Sequence, residues 1–317
     1  MNNEIKNAID LLNNGEVVAI PTETVYGLAA PINNKKGIEK IFSTKERPFF
    51  DPLIIHVQNT EQAKSLTTEW SEIHQLFADQ FWPGPLTMIL PKNQSVSDVI
   101  TSGLGTVGIR MPAHPVTLRL IEELGVPLAA PSANKFKKTS PTCFLHVKDE
   151  FPELFILDGD TSEIGIESTI ISFTPNKVQI LRPGMIGKDL LQRTLLENGF
   201  EQINVEYSES PIAPGHLKHH YMPNIPIVFK VVDQHFTSEH IPKDILDSSA
   251  EWDLPDDPIQ AARLLYAQFR VLEKENKKSI TINLNTKQLN DDHFQGVLNR
   301  LIKASTYFLP KNYSNKS

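Results

Sequence analysis

Two cations stand close together in the segment STKERPFFDPLIIHV, residues 43–57, just before an apolar run. Proline stiffens a turn because its ring fixes one backbone angle, and the two prolines here should hold Lys45 and Arg47 in place. Arginine suits two-point contact with phosphate oxygens, and lysine acts as a point charge. The segment therefore indicates an anionic ligand. Two structural alternatives remain open: the cations could stabilise a helix end, and His56 could be a hydrogen-bonded core histidine.

Hydroxyl, amide and further cationic side chains follow other predicted strands. Loops at strand ends form the usual ligand-binding edge of an α/β sheet, so these side chains are expected to converge. Each segment also has a structural alternative, either a polar turn around Gly27 or a solvated loop rich in lysine and serine. The residues lie in IPTETVYGLAA (Thr24), VGIRMP (Arg110), APSANKFKKTSPT (Ser132, Asn134 and Ser140), GIESTII (Ser168) and ILRPGMI (Arg182).

Arg110 is flanked by Ile109 and Met111 in a strand-like run. A buried arginine needs a carboxylate or phosphate partner. The sequence leaves open whether that partner is an internal acidic residue or a ligand. The preceding GLGTVG, residues 103–108, matches the letters of a dinucleotide-binding motif, but a strand follows it where that motif requires a helix. The match is therefore discounted.

Several chemistries are excluded or disfavoured. Cys143 is the only cysteine, which excludes an internal disulfide and a cysteine-rich zinc site. The segment HLKHHY, residues 216–221, offers three histidines, but no second ligand cluster with zinc spacing accompanies it. HExxH, Walker A and GxSxG motifs are absent from the sequence. No metal site made of protein side chains is predicted.

The charge balance argues against a long polyanion as the ligand. The net charge is −7, with 18 basic against 26 acidic residues in 1–210 and 13 against 12 in 211–317. A general nucleic-acid binder would usually carry a basic surplus, so no tight nucleic-acid binding is expected. A membrane span needs about 18 consecutive apolar residues, and the sequence has no such run and no secretory signal at its start. A cytoplasmic location is expected.

The elements that must position these residues alternate between strand and helix patterns, which predicts an α/β domain of about 200 residues. A chain of 317 residues suggests about two domains. Strands are predicted at 17–20, 53–57, 86–90, 107–111, 127–130, 154–158, 169–173 and 178–182, and helices at 5–15, 36–45, 114–124 and 187–198.

A proline-rich segment interrupts the alternation. Residues 207–226 contain four prolines, which disfavour both helix and central strand. A second, smaller α/β pattern follows. The predicted division is a catalytic domain at 1–205, a linker or lid at 206–226 and a C-terminal domain at 227–317, the last with strands at 227–232 and 279–284 and helices at 257–275 and 291–304.

The motifs, taken together and in order, resemble the YrdC-like domain of threonylcarbamoyl-AMP synthases. The resemblance covers about residues 5–200 and rests on PTETVYGL, KERP with PLIIHV, FWPGPLT, VGIRMPAHP, APSAN, SPT, GIESTI and LRPG. The segments APGHLKHHYMP, DDPIQAARLLYAQFR and QGVLNRLIKAS resemble the long, two-domain form of that family. The resemblance implies an α/β fold: a twisted, open, mixed sheet with flanking helices, plus a small Rossmann-like α/β C-terminal domain.

The resemblance also implies a nucleotidyltransferase activity. L-Threonine and bicarbonate give a carbamate that attacks the α-phosphate of ATP, yielding L-threonylcarbamoyladenylate and pyrophosphate. Mg²⁺ accompanies ATP, and downstream proteins transfer the threonylcarbamoyl group to adenosine 37 of tRNA. This chemistry needs positioning and electrostatic stabilisation and no covalent protein nucleophile.

The resemblance implies two sets of site residues. Lys45 and Arg47 are expected to act in catalysis as well as in ATP binding. The full ATP-binding set is Lys45, Arg47, Asp51, Thr106, Ser132, Asn134, Ser140, Arg182 and Tyr221, and the threonine-binding set is Thr24, His56, Arg110 and Ser168.

Three positions depart from the family pattern. Asp51 stands where asparagine is common, Lys137 replaces a common glycine, and Asp160 replaces a frequent second glycine. Two rival functions remain: a non-catalytic RNA-binding module of the same fold, and the carbamoyl-transferring domain of a larger enzyme.

Overall fold

The structure is a computed structural model that describes residues 2–208, 220–235, 238 and 240–310. Within these residues the chain forms a ten-stranded mixed sheet and, after it, a four-stranded parallel sheet. Helices pack against both sheets. We call the two parts the first unit and the second unit. The α/β fold class and the two-sheet organisation expected from the sequence are confirmed.

The first unit contains ten strands and eight helices among the described residues. Its strands are β1 (Val18–Ile20), β2 (Gly27–Pro31), β3 (Ile54–His56), β4 (Leu86–Pro91), β5 (Thr106–Arg110), β6 (Leu128–Ala129), β7 (Phe155–Ile156), β8 (Thr169–Thr174), β9 (Lys177–Arg182) and β10 (Asn204–Tyr207). Its helices are α1 (Asn2–Asn13), α2 (Lys35–Lys45), α3 (Thr60–Lys64), α4 (Glu72–Phe81), α5 (Asp98–Thr101), α6 (Pro115–Leu124), α7 (Phe144–Glu150) and α8 (Lys188–Glu197).

The first sheet does not follow chain order. Its strands are arranged β10-β9-β8-β4-β5-β3-β6-β2-β1-β7. The pairs β1/β7, β3/β5, β4/β8 and β9/β10 are parallel, and the other neighbours are antiparallel. This order brings the ends of β3, β5, β8 and β9 to one region of the sheet, although long stretches of sequence separate them.

Apolar alternation explains why this sheet is covered on both faces. Successive strand side chains point to opposite faces. Val18 and Ile20 of β1 pack with α1 and α6, whereas Ala19 points into the larger core on the other face. The helical spacing of Ile5, Ala8 and Leu12 in the first helix of the chain matches this arrangement, and all three are fully buried.

The second unit has four parallel strands in the order β12-β13-β11-β14. Every residue of its central strand SITINL is buried, as expected for a parallel sheet covered on both faces. The elements are β11 (Ile227–Val231), β12 (Ser249–Asp253), β13 (Ser279–Leu284) and β14 (Tyr307–Leu309), with α9 (Lys243–Asp247), α10 (Pro258–Leu272), α11 (Thr286–Asn290) and α12 (Gln295–Ala304).

Close backbone contacts join the two units. A Cβ atom at Gly296 of α12 would lie 2.7 Å from the carbonyl oxygen of Gly184 in the first unit. Gly165, which has a φ of +84°, would place a Cβ 2.6 Å from the carbonyl oxygen of Ala262 in α10. Both positions therefore require glycine, and α10 and α12 lie directly against the loops that precede β8 and follow β9.

Several predicted boundaries differ from the structure. The helix predicted at 291–304 begins only at Gln295, after a short 3₁₀ turn at Asp292–Phe294. Strand β10 runs to Tyr207, past the predicted start of the linker at 206. Strands β12 and β14 were not predicted, because the first, SAEWD, is an edge strand of mixed polarity and the second has three residues.

Two further expectations concern Gly27 and the linker. Gly27 begins β2 in an ordinary strand pairing with Ile20, and it is not among the described residues of positive φ. A Cβ there would lie 3.3 Å from that of Ala130, so the glycine serves close packing, and the alternative of a turn with an unusual backbone angle at Gly27 is wrong. Residues 209–219 of the predicted linker, with two of its three histidines, lie outside the described residues. No helix in the described part of the chain is long and apolar enough to cross a membrane.

Candidate active site

A pocket lies where β3, β5 and β9 end and β8 begins. Its empty volume is about 590 Å³, including the part that opens to solvent. Polar residues that follow β1 and precede β2 form one wall. The segment that leads into the second unit forms another. Its lining residues are Thr22, Thr24, Val25, Gly27, Arg47, Pro52, Ile54, His56, Arg110, Ala130, Pro131, Ser132, Glu167, Ser168, Arg182, His220 and Tyr221.

Most of the residues proposed from the sequence converge on this pocket. Four others, Lys45, Asp51, Asn134 and Ser140, are buried but do not line the pocket. Lys45, Asp51 and Ser140 contact lining residues, and Asn134 contacts Lys45. Thr106 does not line it. The predicted residues that line the pocket directly are Thr24, Arg47, His56, Arg110, Ser132, Ser168, Arg182 and Tyr221.

Arg47 is held by the loop that follows it. Helix α2 ends at Glu46 in a left-handed conformation (φ +53°), which turns the chain so that Arg47 lies beyond the helix. Its guanidinium group donates to the carbonyl oxygens of Asp51 (3.1 Å) and Pro52 (2.9 Å) and lies 3.0 Å from the Asp51 carboxylate. Burial raises the pKa of Asp51, and the Arg47 charge opposes that rise. Asp51 therefore acts as the counter-charge of Arg47.

Lys45 supports the neighbouring loop. Its ammonium group is buried and donates to the carbonyl oxygens of Ser132 and Asn134, both at 2.5 Å. The Asn134 side chain donates to the carbonyl oxygens of Lys135 and Lys138. Burial, followed by the nearby Arg47 charge, lowers the pKa of Lys45. A lysine has three N–H donors, so Lys45 can still serve one further acceptor.

Arg110 has an internal partner, which answers the question that the sequence left open. Its guanidinium group donates to the Glu23 carboxylate at 2.6 Å, to the Thr24 hydroxyl at 2.8 Å and to the Gly84 carbonyl oxygen at 3.2 Å. The second Glu23 oxygen accepts from the backbone N–H of Ala113. Glu23 thus orients Arg110 at the pocket wall, and a ligand carboxylate would meet an arginine that is already partly neutralised.

Ser168 and Arg182 form a bonded pair at the adjoining ends of β8 and β9. Arg182 donates to the Ser168 carbonyl oxygen at 3.0 and 3.1 Å and to its hydroxyl oxygen at 3.1 Å. That hydroxyl also lies 2.7 Å from the Thr87 hydroxyl of β4. These contacts fix one hydroxyl and one cation side by side in the pocket wall.

Glu167 was not among the predicted site residues. One of its carboxylate oxygens accepts from the Ser140 hydroxyl at 2.6 Å, and the other accepts from Arg300 at 3.0 Å and from the Tyr266 hydroxyl at 3.1 Å. Burial alone would raise the pKa of Glu167, but the charges of Arg300 and Arg182 and the Ser140 hydrogen bond lower that pKa to about 2. The available signal was a carboxylate inside the apolar run IGIESTII.

Two neutral histidines and a tyrosine line the same pocket. Burial, followed by the Arg110 charge, lowers the pKa of His56 to about 3. Burial likewise lowers the pKa of His220 to about 3. Within the described residues, Nδ1 of each histidine and the hydroxyl of Tyr221 are buried and have no hydrogen-bond partner. These atoms can therefore serve a ligand.

Tyr221 is held in place from the second unit. It has a φ of +64°, its ring stacks on Tyr266 of α10 at 5.9 Å, and the Arg300 guanidinium carbon lies 5.5 Å from its ring centre. The backbone N–H of His220 donates to the carbonyl oxygen of Lys303 at the end of α12. The described end of the predicted lid segment is thus packed between the two units at the pocket.

Thr106 lies at the opposite end of β5 from Arg110 and is exposed. It lines a second, smaller cavity that shares Pro52 and Ile54 with the main pocket. Thr106 therefore lies in a neighbouring cavity, apart from the other predicted residues.

Comparison with known proteins places the chain in a family. A family model described as "Telomere recombination" matches residues 10–184, and one described as "Threonylcarbamoyl-AMP synthase, C-terminal domain" matches residues 186–306. The chain is similar to the threonylcarbamoyl-AMP synthases of Bacillus subtilis (42% identity over 227 residues) and Pyrococcus abyssi (41% over 228). Each alignment covers 71% of this chain, and they cover 66% and 67% of those proteins, respectively.

The match to a solved structure extends over both units. The crystal structure of P. abyssi Sua5 in complex with L-threonine has a TM-score of 0.84 to this chain at 32% identity. It covers 96% of this chain and 95% of that one. The fold of both units is therefore shared with that structure. The chain belongs to the family of threonylcarbamoyl-AMP synthases, in its two-domain form.

Proposed function

We propose that this chain joins L-threonine, bicarbonate and ATP to form L-threonylcarbamoyladenylate and pyrophosphate. The observation that carries the proposal is the convergence of two groups of residues on one pocket of a chain from this family. Arg47 and Arg182 form a cationic side, and Thr24, His56 and Arg110 form a side suited to a small polar molecule. The alternative, a non-catalytic RNA-binding module, gives no reason for neutral histidines and paired arginines in a narrow pocket.

The proposed threonine site lies between β1, β3 and β5. The relative from P. abyssi was crystallised with L-threonine. The unpartnered Nδ1 of His56 and the hydroxyls of Thr24 and Ser168 offer donors and acceptors for the substrate's hydroxyl and amino groups. Arg110 would face the carboxylate with an N–H that Glu23 and Thr24 do not occupy, because a guanidinium group has five.

The proposed nucleotide site lies on the Arg47 and Arg182 side. Both guanidinium groups line the pocket, and Lys45 holds the loop that carries Ser132. A nucleotide whose phosphates contact Arg47 would extend past Pro52 to reach Thr106, because the cavity of Thr106 begins at Pro52. Asp51 offsets the Arg47 charge, so phosphate binding relies on the combined cations.

Mg²⁺ is proposed to enter as part of the MgATP substrate. Among the residues that the structure describes, no group of three or more His, Cys, Asp or Glu side chains could hold a metal ion. The carboxylates of Glu23, Asp51 and Glu167 are each paired with an arginine. The phosphate oxygens of ATP and water would therefore supply the ligands of the ion.

The proposed reaction depends on positioning. The carbamate formed from threonine and bicarbonate must place an oxygen in line with the α-phosphorus of ATP, so that the bond to pyrophosphate breaks as the new bond forms. Arg47 and Arg182 would stabilise the charge that develops on the departing pyrophosphate. His220 and Tyr221, which pack at the pocket, would limit the access of water to the mixed anhydride. Transfer to tRNA by downstream proteins, and a cytoplasmic location, are further parts of this proposal.

Pyrophosphate release tests the proposal directly. Purified protein with MgATP and bicarbonate should release pyrophosphate only when L-threonine is added, and the nucleotide product should carry a threonylcarbamoyl group by mass spectrometry. Arg182→Ala should abolish most of this release, whereas Arg193→Ala on the exposed side of α8 should not. Failure of threonine to stimulate release, together with tRNA retention that weakens at higher salt, would favour the RNA-binding alternative.

A further inference from the structure

Arg300 of the second unit reaches into the wall of the first unit's pocket. Its side chain is completely buried, although it belongs to α12. It donates through Nε to the Glu167 carboxylate at 3.0 Å and through Nη2 to the Glu167 carbonyl oxygen at 3.1 Å. Its Nη1 donates to the carbonyl oxygen of Pro183. One guanidinium group therefore bonds two separate segments of the other unit.

These two segments carry the pocket residues Ser168 and Arg182. Glu167 is the residue before Ser168, and Pro183 is the residue after Arg182. Ser168 and Arg182 are themselves joined by three hydrogen bonds. Arg300 thus bonds to the chain neighbours of both Ser168 and Arg182. A shift of its guanidinium group would therefore move both residues.

The charge of Arg300 has a second effect. Glu167 lines a pocket in which we propose that triphosphate binds, and an unpaired carboxylate there would repel phosphate oxygens. The pair with Arg300 offsets that charge, and Ser140 and Tyr266 occupy further lone pairs of the carboxylate. The same guanidinium group lies over the ring of Tyr221.

We infer that Arg300 is a positioning residue through which the second unit completes the nucleotide site, by fixing Ser168 and Arg182 and by neutralising Glu167. The inference rests on the proposed function, because it assumes that ATP enters this pocket. It assigns the second unit a direct part in ATP binding. A merely structural role, in which Arg300 only stabilises the contact between units, makes different predictions.

The charge effect can be separated from the structural effect with three variants of the full chain. Arg300→Gln leaves Glu167 charged and unpaired, and Arg300→Gln with Glu167→Gln removes both charges. Arg300→Lys keeps the charge but loses the forked contacts. The matched control is Lys278→Gln, which breaks an exposed ion pair with Asp244 in the same unit.

Two measurements are needed on each variant: steady-state KM values for ATP and threonine, and binding of a non-hydrolysable ATP analogue by calorimetry. We expect Arg300→Gln to weaken ATP and analogue binding at least tenfold and to raise the KM for threonine less. Adding Glu167→Gln should recover part of the loss in ATP affinity, because it removes the unpaired charge but does not restore the contacts that fix Ser168 and Arg182. Arg300→Lys should retain more ATP affinity than Arg300→Gln. Lys278→Gln should match the wild type.

ATP affinity separates the positioning role of Arg300 from a merely structural role. Equal ATP affinity in Arg300→Gln and the wild type, or no recovery in the double variant, would overturn the inference. If Arg300→Gln does not fold, Arg300→Lys decides, because it loses the forked contacts with Glu167 and Pro183: analogue affinity equal to that of the wild type would then overturn the inference. Failure of the proposed function would show separately, as wild-type protein without threonine-dependent pyrophosphate release.

Discussion

Replacement of Arg47 tests whether the cation after α2 binds phosphate or only stabilises its own loop. If Arg47 holds the triphosphate, the sequence alone predicts that Arg47→Ala abolishes most turnover and leaves the melting temperature nearly unchanged. The structure changes the second half of that prediction. Arg47 and Asp51 form an ion pair in which both side chains are less than one-tenth exposed, so Arg47→Ala leaves a buried carboxylate without its counter-charge.

The magnitude follows from that geometry. Removing one partner of a buried ion pair costs about 3–5 kcal/mol, and about 1 kcal/mol shifts the melting temperature of a domain of this size by about 2–4 °C. Arg47→Ala should therefore lower the melting temperature by about 6–20 °C. In an Asp51→Asn background the same change removes mainly hydrogen bonds to two backbone carbonyls, which together contribute about 1–3 kcal/mol. The shift there should be correspondingly smaller.

Activity should respond differently from stability. A charge-assisted contact with phosphate contributes about 1.5–3 kcal/mol, and each 1.4 kcal/mol is about a factor of ten. The KM for ATP should thus rise about 10- to 150-fold on Arg47→Ala in both backgrounds. Asp51→Asn alone is the matched control, and it should bind ATP at least as well as the wild type.

The assays are thermal unfolding and threonine-dependent pyrophosphate release on the same four proteins. If Arg47→Ala in the Asp51→Asn background keeps the ATP KM of its parent, Arg47 is only the partner of Asp51 and its proposed contact with phosphate is wrong. If the two backgrounds show the same loss of stability, the buried ion pair does not contribute as its geometry indicates.

Three further predictions concern the threonine side of the pocket. A site that hydrogen-bonds a hydroxyl rejects analogues that lack it, so valine should give a kcat/KM about 10⁴-fold below that of threonine; similar pyrophosphate release from both amino acids would contradict this. Arg110→Ala combined with Glu23→Gln, which avoids an unpaired carboxylate, should raise the KM for threonine much more than that for ATP, and the reverse order would assign Arg110 to the nucleotide. The folded pKa of His56 is about 3, below the ordinary 6.5, so its contribution to stability is present above pH 6.5 and is lost as pH falls toward 3. His56→Gln should therefore remove about 2 kcal/mol of the stability lost between pH 7 and pH 5 in urea unfolding, and the exposed His235→Gln should leave that loss unchanged.

Short-range pattern was enough to find most of the strands and half of the helices of the first unit. The strand patterns VVAI and LIIHV can be recognised from a few neighbouring residues, and so can the helical spacing of Ile5, Ala8 and Leu12. The structure has β1, β3 and α1 at these segments. Several of the elements that were not predicted lack such a pattern. Strand β2 begins with a glycine, β12 is of mixed polarity, and α3 and α5 have only five and four residues.

The sequence also determined which residues had to be near a ligand or a partner. Burying a cation, a histidine or a hydroxyl costs free energy unless it has a hydrogen-bond partner, and most residues selected for this reason or by resemblance line one pocket. What the sequence by itself did not determine was how these residues pair. Glu23 meets Arg110 across 87 positions of the chain, and Glu167 meets Arg300 across 133. Such pairings depend on a strand order that departs from chain order and on the contact between the two units. Only the tertiary structure decided that Arg47 and Arg110, which were expected to bind a ligand, also have internal counter-charges in Asp51 and Glu23. The reason is that the local pattern of the sequence specifies which face of an element is buried, but not which element packs against that face.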